Sequence, residues 1–272
     1  MLSAMSHRVL DTKSREEPDW LSRADGEDAG AVAALVLGAG RGERLGHSLP
    51  KAFVPLAGQT LIERSIRSLS ESRSIGRIQP VLDPREFDRF KDLELQDVTE
   101  LIGPVGGGAE RQDSMREGLE SLPSEILWVA VHDAARGLVS PNDVARVVAR
   151  ARTTGAAILA ERVRDTIKRV ADGKVVETPA REECWAAQTP QVMRRDWLEE
   201  SMEKAAAGNR LATDDAQLLE WAGFPVSIVE AQGPNPKITR PEDLAGAEAL
   251  ARQYASEIGR VIEEESEGEK SR

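Results

Sequence analysis

The sequence has few cysteine, histidine and aromatic residues. Because Cys184 is the one cysteine among 272 residues, an intramolecular disulfide and a zinc site built from several cysteines are excluded. The histidines, His7, His47 and His132, are too far apart in the chain to indicate a histidine metal site. No apolar run approaches the roughly 18 residues that a membrane-spanning helix needs, so we expect no membrane segment. A single thiol is typical of a reducing compartment, which favours a cytoplasmic location.

Basic residues are outnumbered as well. The chain has 36 Lys and Arg against 47 Asp and Glu, which gives a net charge of −11. We therefore expect no nucleic-acid partner, because that function favours a basic surface. An anionic small molecule remains possible as a ligand, provided that a few cations are placed locally around it.

Both ends of the chain lack the hydrophobic periodicity of the middle. Residues 1–30 carry seven acidic residues and no apolar segment like that of a secretory signal, which predicts a disordered tail. Residues 253–272 are predicted to form a charged C-terminal tail. The remaining part, 31–252, has the length of one large α/β domain.

Within that domain, short apolar runs alternate with amphipathic segments. The predicted strands are 33–37, 77–82, 126–131, 156–159 and 226–229. The predicted helices are 60–72, 111–122, one that begins at Ser140-Pro141 and one near Arg240-Pro241. Strands separated by helices pair in parallel, so we expect an α/β fold with a doubly wound, mostly parallel, Rossmann-like sheet. Ligands of such sheets bind beyond the carboxyl ends of the strands.

One stretch, at about 162–185, interrupts the alternation. Two β-rich runs flank the turn Ala171-Asp172-Gly173, which predicts a protruding β-hairpin. An isolated hairpin is marginally stable in water, and this one has little apolar surface of its own. We therefore expect it to pack on another subunit as a dimerisation arm.

The first strand leads into the glycine-rich loop Gly38-Ala39-Gly40, and the cations Arg44 and Lys51 follow it. The loop matches neither the dinucleotide fingerprint nor the Walker P-loop. Glycines let a backbone approach phosphates closely, and the two cations would neutralise a triphosphate. A plain glycine turn with solvated cations is the alternative.

Two further segments are candidates for ligand contacts. Gly106-Gly107-Gly108 leads towards Ser114 in a predicted helix, which suits a base or a phosphate but is equally compatible with a simple turn. The predicted strand 126–131 is followed by His132-Asp133-Ala134-Ala135-Arg136. Its acid and its arginine are candidates for a metal–phosphate cluster and an anionic substrate, or form an ion pair that closes the strand. His132 points to the opposite side of the strand and is interpreted as a packed histidine.

Seven segments in a fixed order carry a resemblance to a known family. They are Leu37-Gly38-Ala39-Gly40 with Arg44 and Pro50-Lys51; Gly107-Gly108 with Glu110-Arg111 and Ser114; Val131 to Arg136; Asp165-Thr166-Ile167-Lys168; Trp185 with Gln188-Thr189-Pro190-Gln191; Thr213-Asp214-Asp215-Ala216; and Lys237-Ile238-Thr239 before Pro241-Glu242-Asp243-Leu244. Over about residues 33–250 the chain resembles the 2-C-methyl-D-erythritol 4-phosphate cytidylyltransferases of the non-mevalonate isoprenoid pathway. The resemblance implies a nucleotidyltransferase that uses CTP, a polyol phosphate and Mg²⁺, and that forms a homodimer through the hairpin arm.

The resemblance also implies roles for individual residues. The catalytic cations would be Arg44, Lys51 and Lys237. The CTP contacts would be Gly38, Ala39, Gly40, Gly108, Ser114, Asp133 and Ala134. The contacts to the polyol phosphate would be Arg136, Thr166, Arg181 and Thr189, with Thr166 and Arg181 reaching the neighbouring subunit. The metal site is not fixed by the sequence, and Asp133 is a candidate ligand.

The chain departs from the family pattern at four positions. Gly38 replaces an alanine, Ala52 a glutamine, Gly137 a proline and Pro236 an aliphatic residue. We expect Gly137 to make its loop less rigid and Pro236 to change how Lys237 is aimed.

Two other functions remain open at this point, a ribitol-5-phosphate cytidylyltransferase and a non-catalytic nucleotide-binding protein. The arm residues Thr166 and Arg181 argue against the first. The presence of both Arg44 and Lys51 argues against the second.

Overall fold

The structure, a computed structural model, describes residues 31–40 and 49–253. Arg44 and, apart from Gln253, the two predicted tails lie outside the described residues.

The described chain alternates strands and helices. The strands are β1 (Val32–Leu37), β2 (Pro55–Leu56), β3 (Gln59–Thr60), β4 (Arg77–Leu82), β5 (Glu100–Leu101), β6 (Val105–Gly106), β7 (Trp128–Asp133), β8 (Ala156–Arg162), β9 (Arg169–Ala171), β10 (Lys174–Glu177), β11 (Trp185–Arg194) and β12 (Ser227–Glu230). The helices are α1 (Leu61–Glu71), α2 (Phe87–Lys91), α3 (Arg111–Ser121), α4 (Pro141–Thr154), α5 (Arg195–Ala207), α6 (Asp215–Ala222) and α7 (241–253).

Eight of these strands form one central sheet. Their order is β12-β8-β11-β7-β1-β4-β5, with β6 also paired to β4. All pairs are parallel except those of β11, which runs antiparallel to both β7 and β8. Helices α1 and α4 pack on one face, and α3, α5 and α6 pack on the other. The predicted doubly wound, mostly parallel sheet is thereby confirmed.

Local sequence signals explain where the helices begin. The Thr60 hydroxyl accepts the N–H of Glu63 and the Glu63 carboxylate accepts the N–H of Thr60, which forms a capping box at the start of α1. Ser140 caps α4 ahead of Pro141, as predicted. The apolar face of α1 is buried against the sheet, and its burial is what fixes the helix there.

The sequence did not predict helices α2, α5 and α6 or the two-residue strands, and two strands of the central sheet also differ from the prediction. The strand expected at 126–131 lies at Trp128–Asp133, because Ile126 is held in a turn by the carbonyl of Pro123. Asp133 is therefore the last residue of the strand. Strand β11 was not predicted, since its buried residues include the polar side chains of Gln188 and Gln191.

The hairpin formed by β9 and β10 is a two-stranded sheet of its own. Its turn residues Asp172 and Gly173 have positive φ values of 48° and 73°, which suits a tight hairpin turn. Every residue of both strands is exposed, including the valines Val170, Val175 and Val176.

Candidate active site

A cleft of about 750 Å³ opens where β1, β4 and β7 end at their carboxyl edge. It is lined by the first residues after β1 and β4, by the β6–α3 loop and by the last residue of β7. The residues predicted from the sequence that line it are Gly38, Ala39, Gly40, Lys51, Gly108, Ser114, Asp133, Ala134 and Lys237. Residues far apart in the chain thus meet in one cavity.

The two glycine loops form one wall of the cleft by touching each other. A Cβ atom on Gly107 would lie 2.3 Å from the Cβ of Ala39 and 2.9 Å from the hydroxyl oxygen of Ser114. No residue larger than glycine therefore fits at 107 without displacing the opposite loop. The Ser114 hydroxyl also accepts the N–H of Gly108 at 3.1 Å, which fixes the second loop to α3.

Several N–H groups of this wall are used inside the protein. The N–H groups of Gly38 and Gly107 donate to the carbonyls of Val81 and Leu82, both at 2.8 Å. Together with the bond from Gly108 to Ser114, these contacts show that the three glycines shape the wall by close packing. In this arrangement the three N–H groups are paired within the protein.

Two departures from the family pattern lie next to each other in this wall. A Cβ on Gly38 would lie 3.1 Å from the Cβ of Ala52 and 2.8 Å from Cδ2 of Leu82. Ala52 is buried in the short 3-10 helix that begins at Lys51. That helix places the lysine at the edge of the cleft.

Asp133 is the centre of a charged network on the floor of the cleft. Its Oδ2 lies 2.7 Å from Nζ of Lys237, and its Oδ1 lies 3.3 Å from Nε of Arg111. Arg111 also makes a bidentate pair with the buried carboxylate of Asp215, at 2.7 and 2.8 Å. The predicted residues Asp133 and Lys237 are thus in direct contact.

The network keeps Asp133 ionised. Burial by itself would raise the pKa of Asp133, but the charges of Arg111 and Lys237 hold it below its ordinary value. Burial would likewise lower the pKa of Arg111, yet the carboxylates of Asp215 and Asp133 hold it above its ordinary value. The cations among the described residues that line the cleft are Lys51, Arg111 and Lys237, and the buried carboxylate of Asp215 holds Arg111 in a bidentate pair.

Sequence reasoning assigned no role to Arg111 or Asp215. Both stand inside the motifs quoted above, Arg111 directly after the second glycine loop and Asp215 in the first turn of α6. Their pairing spans 104 positions of the chain, so local spacing carries no signal for it.

A second network lies behind Asp133. The hydroxyl oxygen of Thr189 accepts the N–H of Asp133 at 3.0 Å, so its proton is free to be donated to Nδ1 of His132 at 3.1 Å. His132 is fully buried, as predicted, and burial lowers its pKa to about 4. Thr189 does not line the cleft, and in this arrangement its hydroxyl supports Asp133 instead of facing a ligand.

Arg136 follows the cleft-lining residue Ala135 in the chain and is held by carbonyl groups. Its Nη1 donates to the carbonyl of Asn235 at 2.7 Å and its Nη2 to that of Ala187 at 3.5 Å. Within the described residues it makes no salt bridge, and burial lowers its pKa. An arginine held by neutral acceptors keeps its positive charge for an anionic ligand.

The loop that carries Arg136 is tied to α1. The hydroxyl of Ser65 donates to the carbonyl of Ala134 at 3.1 Å, and Nε of Arg64 donates to that of Gly137 at 3.3 Å. A Cβ on Gly137 would lie 3.0 Å from the carbonyl oxygen of Leu61. Close packing and side-chain hydrogen bonds therefore restrain this loop. They compensate for the rigidity that a proline at position 137 would give.

Thr166 and Arg181 are not brought to the cleft of their own chain. Both are exposed, and Nη1 of Arg181 donates to the carbonyl of Arg164 at 3.3 Å. A role in substrate binding for either residue remains a prediction.

The described part of the chain holds no cluster of three or more His, Cys, Asp or Glu side chains that would bind a metal on its own. It also contains no helix with the length and apolar character needed to cross a membrane.

Comparison with known proteins assigns the family. Residues 32–253 match the sequence profile of 2-C-methyl-D-erythritol 4-phosphate cytidylyltransferase. The enzyme of that name from Pelotomaculum thermopropionicum is 41% identical over 222 residues, which cover 80% of this chain and 93% of that enzyme.

Solved structures agree with the sequence comparison. The fold is similar to that of the 4-diphosphocytidyl-2C-methyl-D-erythritol synthase from Anaerococcus prevotii, with a TM-score of 0.74, 28% identity and coverage of 83% of this chain and 100% of that one. It is also similar to the 2-C-methyl-D-erythritol 4-phosphate cytidylyltransferase from Thermus thermophilus, with a TM-score of 0.65, 35% identity and coverage of 82% and 99%. The chain belongs to the 2-C-methyl-D-erythritol 4-phosphate cytidylyltransferase family.

Proposed function

We propose that this enzyme transfers CMP from CTP to 2-C-methyl-D-erythritol 4-phosphate, giving 4-diphosphocytidyl-2-C-methyl-D-erythritol and pyrophosphate for isoprenoid precursor synthesis. The observation that carries the proposal is the meeting of two glycine loops, Lys51 and the Asp133–Lys237 pair in one cleft. The names of the relatives supply the identity of the two substrates.

The chemistry needs positioning and positive charge. A phosphate oxygen of the polyol phosphate attacks the α-phosphorus of CTP, a new P–O bond forms, and the bond to the β-phosphate breaks with release of pyrophosphate. The attacking oxygen is already anionic at neutral pH, so the step requires no general base. His132 is fully buried and neutral, which agrees with a reaction that does not use it as a base.

The cations are the groups that lower the barrier. We assign Lys51 and Lys237 to the triphosphate and the charge that develops at the α-phosphorus, together with Arg44, which lies outside the described residues. Asp133 holds Lys237 at 2.7 Å, so the lysine is kept at the cleft before a ligand arrives. Arg136 is assigned to the phosphate of the polyol substrate.

We also propose Mg²⁺ as the cofactor. Asp133 is ionised and lines the cleft, and its oxygens keep lone pairs beyond those that face Lys237 and Arg111. It would be the protein ligand of an ion held mainly by phosphate oxygens and water. When bound, the ion would supply further charge neutralisation on the triphosphate.

A homodimer formed through the hairpin β9–β10 is the assembly that we propose. Val170 and Val175 are 54% and 60% exposed on a two-stranded sheet, which is marginally stable alone in water. Deletion of residues 168–176 should convert a dimer into a monomer in light scattering. Ile228→Asp, at an exposed isoleucine on β12, should leave the dimer intact; a monomeric wild type at micromolar concentration contradicts the proposal.

The proposed location is the cytoplasm, because one cysteine provides no intramolecular disulfide of the kind common in oxidising compartments.

A substrate panel tests the reaction. Pyrophosphate release is measured with CTP, UTP or ATP against 2-C-methyl-D-erythritol 4-phosphate, ribitol 5-phosphate and glycerol 3-phosphate. We expect release with CTP and the methylerythritol phosphate at a rate at least about 100-fold above every other pair. A preference for ribitol 5-phosphate would replace the second substrate, and no release with any pair would reject the transfer reaction.

A further inference from the structure

The segment between β12 and α7 connects the two cations assigned to different substrates. The carbonyl oxygen of Asn235 accepts the 2.7 Å hydrogen bond from Nη1 of Arg136. Two residues later, Nζ of Lys237 lies 2.7 Å from Oδ2 of Asp133. The conformation of this segment therefore decides where both cations lie relative to each other.

The side chain of Asn235 anchors the segment at one end. It is 2% exposed, and its Nδ2 donates to Oε1 of Gln188 at 3.0 Å and to the carbonyl of Thr189 at 2.9 Å. Both acceptors belong to β11, at the place where its pairing with β8 shifts register between Ala187 and Gln191. The Asn235 amide thus fastens the segment to a fixed irregularity of the central sheet.

The other anchor lies beyond the lysine. The N–H of Ile238 donates to the carbonyl of Ala135 at 3.0 Å, and the Ile238 side chain is fully buried. Pro236 has no N–H group to donate, so it adds no backbone anchor of that kind between the two ends. Lys237 is carried on a short span that, among the described residues, is held to the sheet by the side-chain bonds of Asn235 and by the Lys237–Asp133 pair itself.

We propose that Asn235 is a positioning residue for the transfer reaction. Its side chain places the carbonyl that aims Arg136 and the backbone that carries Lys237, so that the two substrates are presented in one geometry. This inference rests on the proposed function for the identity of the substrates. Without the amide, the segment is free to shift, and a displacement of about 1 Å at reacting groups costs about 100-fold in rate.

Kinetics of Asn235→Ala and a matched control test the proposal. The control is Asn142→Ala, because Nδ2 of Asn142 also bonds to the region after β12, at Oε1 of Gln232 (3.1 Å), but at an exposed position. We expect kcat/KM to fall about 100-fold in Asn235→Ala, with a raised KM for the polyol phosphate, and to change less than about threefold in the control. Equal effects of the two variants would overturn the proposal.

A double-mutant cycle separates positioning from general damage. If Asn235 acts through Arg136, Asn235→Ala should no longer raise the KM for the polyol phosphate in an Arg136→Ala background. Fully additive effects on that KM would overturn the proposal. Asn235→Asp keeps the side-chain volume but places an acceptor opposite the oxygen atoms of Gln188 and Thr189. It should therefore show the same kinetic defect. This variant replaces Asn235→Ala in the measurements if Asn235→Ala does not fold.

Hydrogen exchange gives a readout that does not depend on activity. The peptide that contains Ile238 should exchange faster in Asn235→Ala, or in Asn235→Asp, than in wild type or Asn142→Ala, measured without substrates. Unchanged exchange would overturn the positioning role even if the panel confirmed the substrates. Faster exchange in a protein that releases no pyrophosphate would support the anchor and reject only the proposed function.

Discussion

The proposed nucleotide half of the site and the proposed half for the second substrate are built in different ways. The walls and floor around Lys51 and Asp133 come together within one chain and are fixed by close packing and ion pairs. By contrast, Thr166 comes before the hairpin β9–β10 and Arg181 after it; both are exposed, and neither lines that cleft. Under the proposed roles, a single chain forms the CTP site, whereas part of the polyol phosphate site depends on a second subunit.

The largest expected effect is the loss of activity when Lys51, in the proposed nucleotide half of the site, is replaced. Lys51→Ala should lower kcat/KM about 1000-fold, since losing one contact to developing charge costs about 4 kcal/mol. Thermal unfolding should stay near that of wild type, because the lysine lies at the edge of the cleft. Lys91→Ala, at an exposed lysine on α2, is the control and should retain full activity. A near-normal rate of pyrophosphate release from Lys51→Ala would remove the catalytic assignment.

The second prediction concerns the pH dependence of the free energy of unfolding that the buried His132 causes. Burial lowers the pKa of His132 to about 4, against an ordinary value of 6.5. The unfolded chain therefore binds a proton below about pH 6.5, whereas the folded chain binds it only near pH 4. The free energy of unfolding should fall by about 3 kcal/mol as the pH drops between these values, from a shift of about 2.5 units at 1.36 kcal/mol each.

Denaturant unfolding of the ligand-free protein measures this dependence. His132→Gln cannot take up the proton, so the stability difference between wild type and variant should change across pH 6.5 to 4 and level off below. Asp133 is present in both proteins, and its pKa is held below the ordinary value. Its contribution to the free energy of unfolding is therefore lost mainly at lower pH than that of His132. Parallel pH curves for the two proteins would show that His132 does not titrate as a buried neutral group.

The third prediction compares two glycines of the nucleotide wall. A Cβ at 107 would lie 2.3 Å from the Cβ of Ala39, whereas a Cβ at Gly40 would meet no described protein atom within 4 Å. Gly107→Ala should therefore raise the KM for CTP about 100-fold by pushing the two loops apart. Gly40→Ala should leave the fold unchanged, and any increase in its KM would report how closely CTP itself approaches. Equal thermal unfolding and equal KM values in both variants would show that the loops do not pack as described.

The contrast between the halves also explains what the sequence was able to predict. The glycines that follow β1, and Asp133 at the end of β7, were predicted as site residues because the carboxyl ends of parallel strands meet at one edge. The sheet followed from apolar runs separated by amphipathic segments. Strand β11 was missed because it is antiparallel and has buried glutamines, a pattern that hydrophobicity does not reveal.

The sequence did not predict the contacts between side chains that are far apart in the chain. The bond between Arg111 and Asp215 joins residues 104 positions apart, and each looks locally like an ordinary helix-terminal charge. The two bonds of the Thr189 hydroxyl depend on how β11 lies beside β7. Fold and candidate ligands were therefore predictable, whereas the positions of the supporting side chains were not.

The smallest expected effect tests the other half of the comparison. Arg181→Ala should raise the KM for the polyol phosphate about 20-fold, because a lost hydrogen bond to a charged phosphate costs about 2 kcal/mol. The KM for CTP should change little, since Arg181 does not line the nucleotide cleft. Arg164→Ala, at a neighbouring exposed arginine, is the matched control and should leave both values near wild type.

Mixed dimers then decide which chain supplies the arginine. In a dimer of Arg181→Ala with Lys51→Ala, a cross-subunit arrangement leaves one site with both wild-type residues. Random exchange makes half of the dimers mixed, so at saturating CTP and low polyol phosphate the mixture should reach about a quarter of wild-type activity. Because Arg181→Ala alone retains only about a twentieth under these conditions, the gain is measurable. Activity no higher than the average of the two parents, despite proven subunit exchange, would place Arg181 in the site of its own chain and remove the difference between the two halves.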